Sequence, residues 1–514
     1  MSISRRRFLE MNGLALSGTL STFSTLGALA TLSGCGGGSS ATPAPMPPAP
    51  PDWAGLSSSL QGGLIQSGAG NYAATANVIN KRFNPVTPIA IARCASTNDV
   101  ITTLAFAQKN SLAVVPRCGG HNYAGYSATT GIMLDVRPMN TIVVNNDGTT
   151  TIGAGALLTD VYTQLIAKGV SIPSGTCPSV GISGITMGGG YNVVGRQYGL
   201  TCDNLVSAQV VTADGQLLTC DANTNSDLFW ALRGGGGGNF GVATSFTIKT
   251  HDATSDLTNF SVQFAFADAA KALTAFFDWP QTLPNNIWAS SFIGFNGGTS
   301  DPGVEISGVC IGTPDDLAPY WNAFLAATNA TPISPTVTVK SYSDTMLAQC
   351  GSWTASQCHF TGETPDAQIT PVSFVASSDF FDDPIPAAGL ATLLQLLEKQ
   401  NLAGSYGYVI LDLMQGAIGT VAPDATAFVH RKALFSAEYW LYVVNPTDPL
   451  TWANDVRNAM QPWSTGEAYV NYMDPLIKDW SAAYYGANYA RLQLVKTKYD
   501  PKNVFRSPQG VVGV

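Results

Sequence analysis

One glycine-rich stretch constrains the fold of this chain more than any other feature. Five glycines lie between Gly181 and Gly190, and Cys177 precedes them between a turn and a proline. Glycine permits a positive φ and lets the backbone approach a group that a Cβ would hold away. Exposed backbone N–H groups in such a loop favour an anionic partner, typically a phosphate. The stretch alone leaves two interpretations open: a surface turn with a buried thiol, or a nucleotide cradle.

Two further glycine-rich segments favour the cradle. The segment 117–125 (Arg-Cys-Gly-Gly-His-Asn-Tyr-Ala-Gly) follows an apolar run and contains His121, one of only 4 histidines in the chain. The third segment carries consecutive glycines from Gly234 to Gly238 and continues Asn-Phe-Gly-Val. Three such loops within about 125 residues exceed ordinary turn usage at average glycine content. The pattern therefore indicates several backbone loops converging on one ligand.

Together these motifs resemble the berberine bridge enzyme-like branch of the vanillyl-alcohol-oxidase family of FAD-linked oxidases, from about Trp53 to the C-terminus. In that branch a histidine of a Gly-Gly-His motif and a cysteine of a Gly-x-Cys-Pro motif both bond covalently to the isoalloxazine ring of FAD. The matching positions here are His121 and Cys177. Ile185 replaces a histidine that is usual in the family, which removes one polar group. The resemblance further implies a set of FAD-binding residues: Arg117, Gly119, Gly120, Asn122, Val180, Gly181, Gly184, Gly188, Gly189, Gly190, Gly199, Gly241, Val242 and Asn471.

The resemblance also implies four candidates for the catalytic base. The flavin carries out the redox chemistry, so the protein must orient the substrate and remove a proton. Glu438 matches a residue that faces the ring in the family, with a salt bridge at a strand edge as the alternative. Tyr469 matches a tyrosine that acts as base in the family when a neighbouring positive group lowers its pKa. Tyr191 resembles a third ring-side group, and Asp412 matches an aspartate of sugar-oxidising relatives, with a polar edge position as its alternative.

The composition excludes other classes of function. The net charge is −9 with no basic stripe, so nucleic acid is not an expected partner. No Cys/His spacing resembles a zinc site, and we expect no metal. Cys350 and Cys358, in a segment rich in Gly, Ser and Thr, are spaced to close a small disulfide loop in an oxidising compartment.

The first 35 residues indicate an export signal rather than part of a domain. Residues 4–9 carry a twin-arginine signal, followed by a modestly apolar segment that is too rich in Gly, Ser and Thr to favour a lasting transmembrane helix. Leu-Ser-Gly before Cys35 resembles the lipobox of bacterial lipoproteins, with a simple cleaved signal as the alternative. Residues 36–52 form a Pro/Gly/Ser linker. We expect twin-arginine export and a lipid anchor at Cys35 on the extracytoplasmic side of a bacterial membrane.

The remaining chain predicts an α+β fold. Residues 53–254 alternate short strands with glycine turns and lack a regular βαβ repeat, which disfavours a Rossmann fold. The resemblance makes this part a two-subdomain PCMH-type FAD-binding domain. Residues 255–465 carry longer strands, including 371–377 and 433–444, and predict a substrate domain with a large antiparallel sheet backed by helices. Residues 466–514 are expected to return to the FAD domain.

The resemblance and the compartment favour an FAD oxidase that abstracts hydride from an alcohol or hemiacetal and reduces O₂ to H₂O₂, with sugars or oligosaccharides preferred as substrates. Val180 matches a family position where valine leaves space for O₂ and a bulkier leucine closes it. One alternative is a dehydrogenase for a phenolic or secondary-metabolite alcohol with a non-oxygen acceptor. The other is a non-catalytic flavin-binding surface protein, which would need an empty base position.

Overall fold

The computed structural model of the protein describes residues 50–514. The twin-arginine signal, Cys35 and residues 36–49 of the linker lie outside the described residues. No helix among residues 50–514 has the length and apolar character that a membrane crossing requires.

The N-terminal lobe contains two main sheets and a short two-stranded ribbon. In chain order its strands are β1 (Leu64–Gln66), β2 (Ala90–Arg93), β3 (Val114–Arg117), β4 (Ile132–Asp135), β5 (Ile142–Val144), β6 (Thr149–Gly153), β7 (Val170–Ser171), β8 (Leu205–Val211), β9 (Leu217–Asp221), β10 (Val242–Lys249) and β11 (His251–Asp252). The first sheet has the order β1-β2-β4-β3, with β4 parallel to both β2 and β3. The second has the order β5-β6-β10-β8-β9 and is antiparallel throughout, and β7 pairs with β11.

The described part of this lobe contains seven α-helices. They are α1 (Trp53–Ser59), α2 (Tyr72–Ala76), α3 (Thr97–Lys109), α4 (Leu158–Ile166), α5 (Ile182–Gly188), α6 (Gly195–Tyr198) and α7 (Ser226–Ala231). The longest, α3, begins after Ser96, whose hydroxyl accepts a hydrogen bond from the amide of Asp99. Its apolar residues Val100, Leu104 and Ala107 lie on one face and enter the core of this lobe.

The second lobe is built on a seven-stranded antiparallel sheet, which confirms the predicted fold class. Its strands are β12 (Leu257–Phe264), β13 (Ile287–Asn296), β14 (Gly303–Cys310), β15 (Ile333–Lys340), β16 (Phe374–Phe381), β17 (Tyr406–Leu413) and β18 (Phe435–Tyr442), in the order β15-β12-β14-β13-β17-β18-β16. The helices of this lobe are α8 (Ala269–Asp278), α9 (Pro314–Ala327), α10 (Tyr342–Met346), α11 (Ala387–Leu402) and α12 (Trp452–Met460). Helix α9 begins at Pro314 with Thr313 as its N-cap.

Two strand predictions need correction. The strand expected at 371–377 lies at Phe374–Phe381. Val372 is bound to the other lobe instead, since its amide donates to the Ile79 carbonyl at 2.9 Å and its carbonyl accepts from the Lys81 amide at 2.8 Å, and the strand continues through a polar run. Within that run Asp379 is buried and accepts a hydrogen bond from Tyr439, so the strand tolerates the carboxyl group. The edge strand β15 was missed entirely, because it contains Pro335 and every residue in it is exposed.

In β17 and β18, every second side chain faces the first lobe. In β18, Phe435, Ala437, Tyr439 and Leu441 enter the core beneath the helices. Of the residues between them, Glu438 and Trp440 line a cavity between the two lobes. Side chains alternate along a strand, so one face of β18 packs against the core and the other faces the cavity. Every residue of β18 is buried on one face or the other.

The C-terminal segment packs on the first lobe. Its helices are α13 (Trp480–Tyr485) and α14 (Tyr489–Tyr499), and both contribute buried residues to the core of that lobe. Lys496 is buried and donates to Asp500 at 2.7 Å and to the carbonyl of Asn239 at 2.7 Å. Asp500 also accepts from the amides of Val504 and Phe505, so this run anchors the chain end to the third glycine loop.

Candidate active site

A cavity of about 1110 Å³ lies between the two lobes. The three glycine-rich loops, the cavity face of the seven-stranded sheet and segment 469–473 form its wall. This volume exceeds the range of roughly 300–1,000 Å³ that is common for small-molecule sites and is suited to a dinucleotide plus a substrate. Sixteen of the predicted site residues line it: Arg117, Gly119, Gly120, His121, Asn122, Cys177, Val180, Gly181, Gly184, Tyr191, Gly241, Val242, Asp412, Glu438, Tyr469 and Asn471.

Glycine packing brings the His121 loop and the Cys177 loop together. A Cβ added at Gly119 would lie 2.5 Å from the amide nitrogen of Gly181 and 2.9 Å from the carbonyl oxygen of Ser179. No side chain fits between these two backbones, so both positions require glycine. The contact fixes His121 and Cys177 on the same cavity although they lie in separate loops.

The chemistry of these two side chains suits attachment of a ring. The Nε2 of His121 lies 2.9 Å from the hydroxyl oxygen of Ser179. Burial, and secondarily the charge of Arg117, lowers the pKa of His121 to about 3, so the imidazole is neutral at physiological pH. Cys177 is exposed, whereas the other described cysteines outside the disulfide are buried or half-buried. The guanidinium of Arg117 donates hydrogen bonds to the carbonyl oxygens of Thr75 and Asn77, and these bonds help to hold the His121 loop in place.

Four predicted FAD-binding glycines do not line the cavity: Gly188, Gly189, Gly190 and Gly199. Their glycine identity has a different physical cause. Gly190 has φ +83° and its amide donates to the Tyr469 hydroxyl at 2.8 Å. A Cβ at Gly188 would lie 2.6 Å from the amide carbon of the Asn471 side chain, and Gly199 has φ +84° at the end of α6. Gly188, Gly189 and Gly190 pack against residues of the C-terminal segment, Gly199 lies against Asp203, and none of the four provides cavity surface.

Glu438 lies in the interior of the sheet. Its strand β18 pairs with β17 on one side and with β16 on the other, so a salt bridge at a strand edge is the wrong alternative. The side chain is only 5% exposed, and Oε1 accepts a hydrogen bond from the hydroxyl of Tyr123 at 2.7 Å. A buried carboxyl group that reaches a cavity and has a phenol donor is suited to hold a substrate hydroxyl and to take its proton.

Tyr469 has a different environment from the one that the resemblance implied. Its oxygen accepts hydrogen bonds from the Gly190 amide and the Asn471 side chain, both at 2.8 Å. Both donors are neutral, and burial raises the pKa of Tyr469 above its usual value. The two donors would stabilise a phenolate, but burial opposes it.

Asp412 and Tyr191 are the other two candidates for the catalytic base. Asp412 is half-buried on β17, which lies between β13 and β18, so its edge alternative is also wrong. The hydroxyl of Tyr191 lies 3.1 Å from Ser436 Oγ and donates to Tyr472 at 3.2 Å. Burial, followed by the nearby charge of Asp412, raises the pKa of Tyr191 well above its usual range. Tyr191 is therefore a neutral hydrogen-bonding group here.

Sequence reasoning missed an aromatic surface of the cavity. Tyr123 stacks on Tyr472 with ring centroids 5.1 Å apart and an interplanar angle of 10°. Tyr408 stacks on Trp440 at 5.6 Å and 10°. The position of Tyr123, two residues after His121 in the same motif, was the available signal for its inclusion in the site. Trp288 and Phe292 of β13 also line the cavity.

The residues present fit a bound FAD. Ideal Cβ positions at Gly184 and Gly238 meet nothing within 4 Å, so both glycines leave backbone accessible from the cavity. Gly184 and Gly237 also approach each other closely, since the Cα of Gly184 lies 3.7 Å from a Cβ built on Gly237. Backbone groups without side chains provide a surface that a cofactor can approach.

Comparison with known proteins agrees with this geometry. A family model described as "FAD binding domain" matches residues 88–221, and one described as "Berberine and berberine like" matches residues 468–512. The FAD-linked oxidoreductase YgaK of Bacillus subtilis is 31% identical over 82% of this chain and 91% of that protein. Chitooligosaccharide oxidase of Gibberella zeae is 29% identical over 83% of this chain and 88% of its own length.

A solved structure, that of wild-type Physcomitrella patens BBE-like 1, superposes with a TM-score of 0.81 at 28% identity. The match covers 89% of this chain and 98% of that chain. The chain belongs to the berberine bridge enzyme-like family of FAD-linked oxidoreductases.

Proposed function

We propose that this protein is an oxidase that holds FAD covalently through His121 and Cys177, oxidises a sugar or oligosaccharide at an alcohol or hemiacetal carbon, and produces H₂O₂. The observation that carries the proposal is the buried Glu438 carboxyl group with its Tyr123 donor, facing a cavity with a neutral His121 and an exposed Cys177. The similarity to chitooligosaccharide oxidase supports the substrate class.

When bound, FAD accepts the hydride of the substrate C–H bond and passes the electrons to O₂. The chain must therefore bind the ring of the sugar, orient the reacting carbon and remove the hydroxyl proton. Glu438 is the leading acceptor of that proton, and Tyr123 holds its carboxyl group in place through the 2.7 Å hydrogen bond. Loss of hydride and proton converts the alcohol to a carbonyl group or the hemiacetal to a lactone, and the two electrons and two protons reduce O₂ to H₂O₂.

Aromatic rings and carboxyl groups of the cavity suit a neutral carbohydrate. The half-buried ring of Tyr408 lines the cavity and supplies an apolar surface, and a sugar ring has an apolar face formed by its C–H groups. Asp412 and Glu438 supply acceptors for its hydroxyl groups. The experiment is to measure H₂O₂ release by purified protein on a panel of sugars, oligosaccharides, simple alcohols and phenols. Activity on phenols alone would contradict the substrate class.

Val180 provides a test of the oxygen step. It lines the cavity, and its amide donates to the carbonyl of Cys177 at 3.2 Å. We expect Val180→Leu to slow reoxidation by O₂ by roughly tenfold or more, equivalent to about 1.4 kcal/mol of barrier, because the added methylene fills the approach to the flavin. Anaerobic reduction by substrate should remain near the parent rate. Stopped-flow absorbance measures both steps, and Val180→Ala is the control, since a smaller residue leaves the approach open. Unchanged reoxidation in Val180→Leu would reject Val180 as the gate.

We also propose export by the twin-arginine route with a lipid anchor at Cys35, from the sequence alone. Changing Arg5 and Arg6 to Lys should retain a folded precursor in the cytoplasm, because the arginine pair is the recognised address. Cys35→Ala should abolish labelling by a fatty-acid probe while export continues. Fractionation and acyl labelling measure the two effects. Equal acylation in the Cys35→Ala protein would reject the anchor.

A further inference from the structure

A disulfide-closed loop of the second lobe reaches the Cys177 loop of the first lobe. Residues 347–360, named the disulfide loop here, follow α10. Cys350 and Cys358 form the disulfide with a Cα–Cα distance of 5.7 Å, which confirms the pairing that the sequence suggested. The amide of Cys358 also donates to the Thr354 carbonyl at 3.0 Å, so the loop is cross-linked within itself. The chemistry assigned to Glu438 does not use this loop.

The backbone around Cys177 is held on both sides. On one side, the hydroxyl of Thr176 accepts a hydrogen bond from the Gln349 side chain of the disulfide loop at 3.2 Å. On the other side, the carbonyl of Pro178 accepts a hydrogen bond from the amide of Thr159 at 2.8 Å. Thr159 lies in the first turn of α4. Cys177 therefore lies between a bond to the second lobe and a bond to the start of α4.

The disulfide loop also holds the start of α4. His359 Nε2 lies 3.1 Å from a carboxylate oxygen of Asp160, and His359 Nδ1 lies 2.9 Å from the carbonyl oxygen of Ala355. Carboxylate and carbonyl oxygens accept and do not donate, so both ring nitrogens of His359 carry a proton. Burial lowers the pKa of His359, but Asp160 raises it further, so the net shift is upward and agrees with an ion pair. Both contacts that flank Cys177 thus lead to the same loop.

His121 is held by contacts that do not involve Gln349 or Asp160. Its Nε2 lies 2.9 Å from the Ser179 hydroxyl, and its ring packs on Phe360 with centroids 5.5 Å apart. The two attachment positions therefore depend on different side chains. Asp160 is the member of the ion pair to change in an experiment, because a change at its partner would act on the neighbouring Phe360 as well.

A bond between sulfur and the flavin ring requires a fixed sulfur position. The bond replaces the S–H bond of Cys177 and one ring C–H bond with an S–C bond, and O₂ takes up the two hydrogens with their electrons as H₂O₂. Misplacement of the reacting atoms by about 1 Å can slow such a step by roughly 10²-fold. Cys177 is exposed, so burial does not confine its side chain. The contacts of its two chain neighbours have to provide that confinement.

We propose that the disulfide loop positions Cys177 for its bond to the flavin, with Gln349 and His359 as the positioning residues. The inference rests on the proposed covalent attachment and gives the second lobe a part in it. It predicts that loss of the loop contacts slows formation of the cysteine bond and leaves formation of the histidine bond unchanged.

The test uses two backgrounds that each retain one of the flavin bonds. In the His121→Ala chain, covalent flavin reports only the bond to Cys177, and in the Cys177→Ala chain it reports only the bond to His121. Full-length protein is purified at successive times after induction, precipitated with acid and washed. The readout is the flavin absorbance that stays with the chain, together with the mass of the flavin-bearing peptide.

Two changes should act in one background only. In the His121→Ala chain, we expect Gln349→Ala and Asp160→Ala each to slow the appearance of covalent flavin by roughly tenfold, because the sulfur is no longer held at the ring. In the Cys177→Ala chain, the same two changes should leave the rate unchanged. A merely structural role of the loop would lower both rates together.

Conservative variants and a matched control complete the design. In the His121→Ala chain, Thr176→Val removes the hydroxyl that accepts from Gln349 and should act as Gln349→Ala does, whereas Thr176→Ser keeps a hydroxyl and should retain the rate. Asp366→Ala is the control for the change at Asp160. Asp366 is exposed and accepts a hydrogen bond from a hydroxyl of the disulfide loop itself, so its removal leaves the contacts with the first lobe in place.

Three outcomes separate this inference from the proposed function. Equal losses of covalent flavin in both backgrounds would overturn the positioning role. Unchanged rates for both Gln349→Ala and Asp160→Ala in the His121→Ala chain would overturn it as well. Absence of covalent flavin from the His121→Ala chain without further changes would instead contradict the proposed bond to Cys177, on which the inference rests.

Discussion

The double variant His121→Ala, Cys177→Ala is expected to lose all of its flavin on denaturation, whereas the parent protein should precipitate yellow. Both side chains line one cavity, and the contact between Gly119 and Gly181 fixes their loops together. In the proposed attachment each side chain forms its own bond to the ring, so either single variant should retain the flavin through the remaining bond. The measurement is absorbance of the acid-precipitated and washed protein, together with the mass of the flavin-bearing peptides.

Cys118→Ala is the control for this experiment. Cys118 also lines the cavity but is half-buried, and burial raises the pKa of its thiol to about 11, so it is mostly protonated at neutral pH. Its removal should leave both attachments in place. A colourless precipitate from the parent chain would contradict covalent attachment, and a flavin that survives the double variant would assign the bonds to other residues.

The second large effect is expected at Glu438. Changing Glu438 to Gln keeps the size of the side chain but removes its ability to take a proton. Since general-base catalysis typically contributes about 10²–10⁴-fold, anaerobic reduction of the flavin by substrate should slow by a factor in this range. Reoxidation by O₂ should remain unchanged, because that step involves no substrate proton. Rapid-mixing absorbance separates the two rates.

Three companion variants determine which group carries the proton. Tyr123→Phe removes the donor to Glu438 and should slow reduction less than Glu438→Gln, because the carboxylate remains. Glu398→Gln is the matched control, since Glu398 is exposed on α11 and does not line the cavity. Tyr469→Phe tests Tyr469, which the family resemblance implies as a second candidate for the base. Normal reduction in both the Glu438 and Tyr469 variants would make Asp412 or Tyr191 the better base.

Local patterns in the sequence were sufficient to identify the two flavin-attachment candidates. The Gly-Gly-His and Gly-x-Cys-Pro motifs are short, and the glycines that join their loops lie within them. The same patterns also contain Gly188, Gly189, Gly190 and Gly199, which do not line the cavity. A glycine at a close approach looks the same in sequence whether the approaching group is a ligand or another part of the chain.

Long-range contacts account for what sequence reasoning did not find. Tyr123 and Glu438 are 315 residues apart, and their hydrogen bond depends on how the seven-stranded sheet meets the first lobe. Alternation along β18 explains why Glu438 faces the cavity once the strand bounds are known, but no local pattern identifies its donor. The loop closed by the Cys350–Cys358 disulfide is a similar case. The cysteine spacing predicted this disulfide, which the structure confirms, but did not indicate that Trp353 inside the loop lines the cavity.

The most direct test of the oxidase proposal follows one cycle of the purified holoprotein with its best carbohydrate substrate. We expect the visible flavin absorbance to bleach when the sugar is added without oxygen, and to return when aerated buffer is mixed in, with release of one H₂O₂ per flavin. Bleaching that persists in air and reverses only with an added quinone or protein acceptor would make the protein a dehydrogenase. Absorbance that no sugar, alcohol or phenol bleaches would contradict the catalytic account altogether.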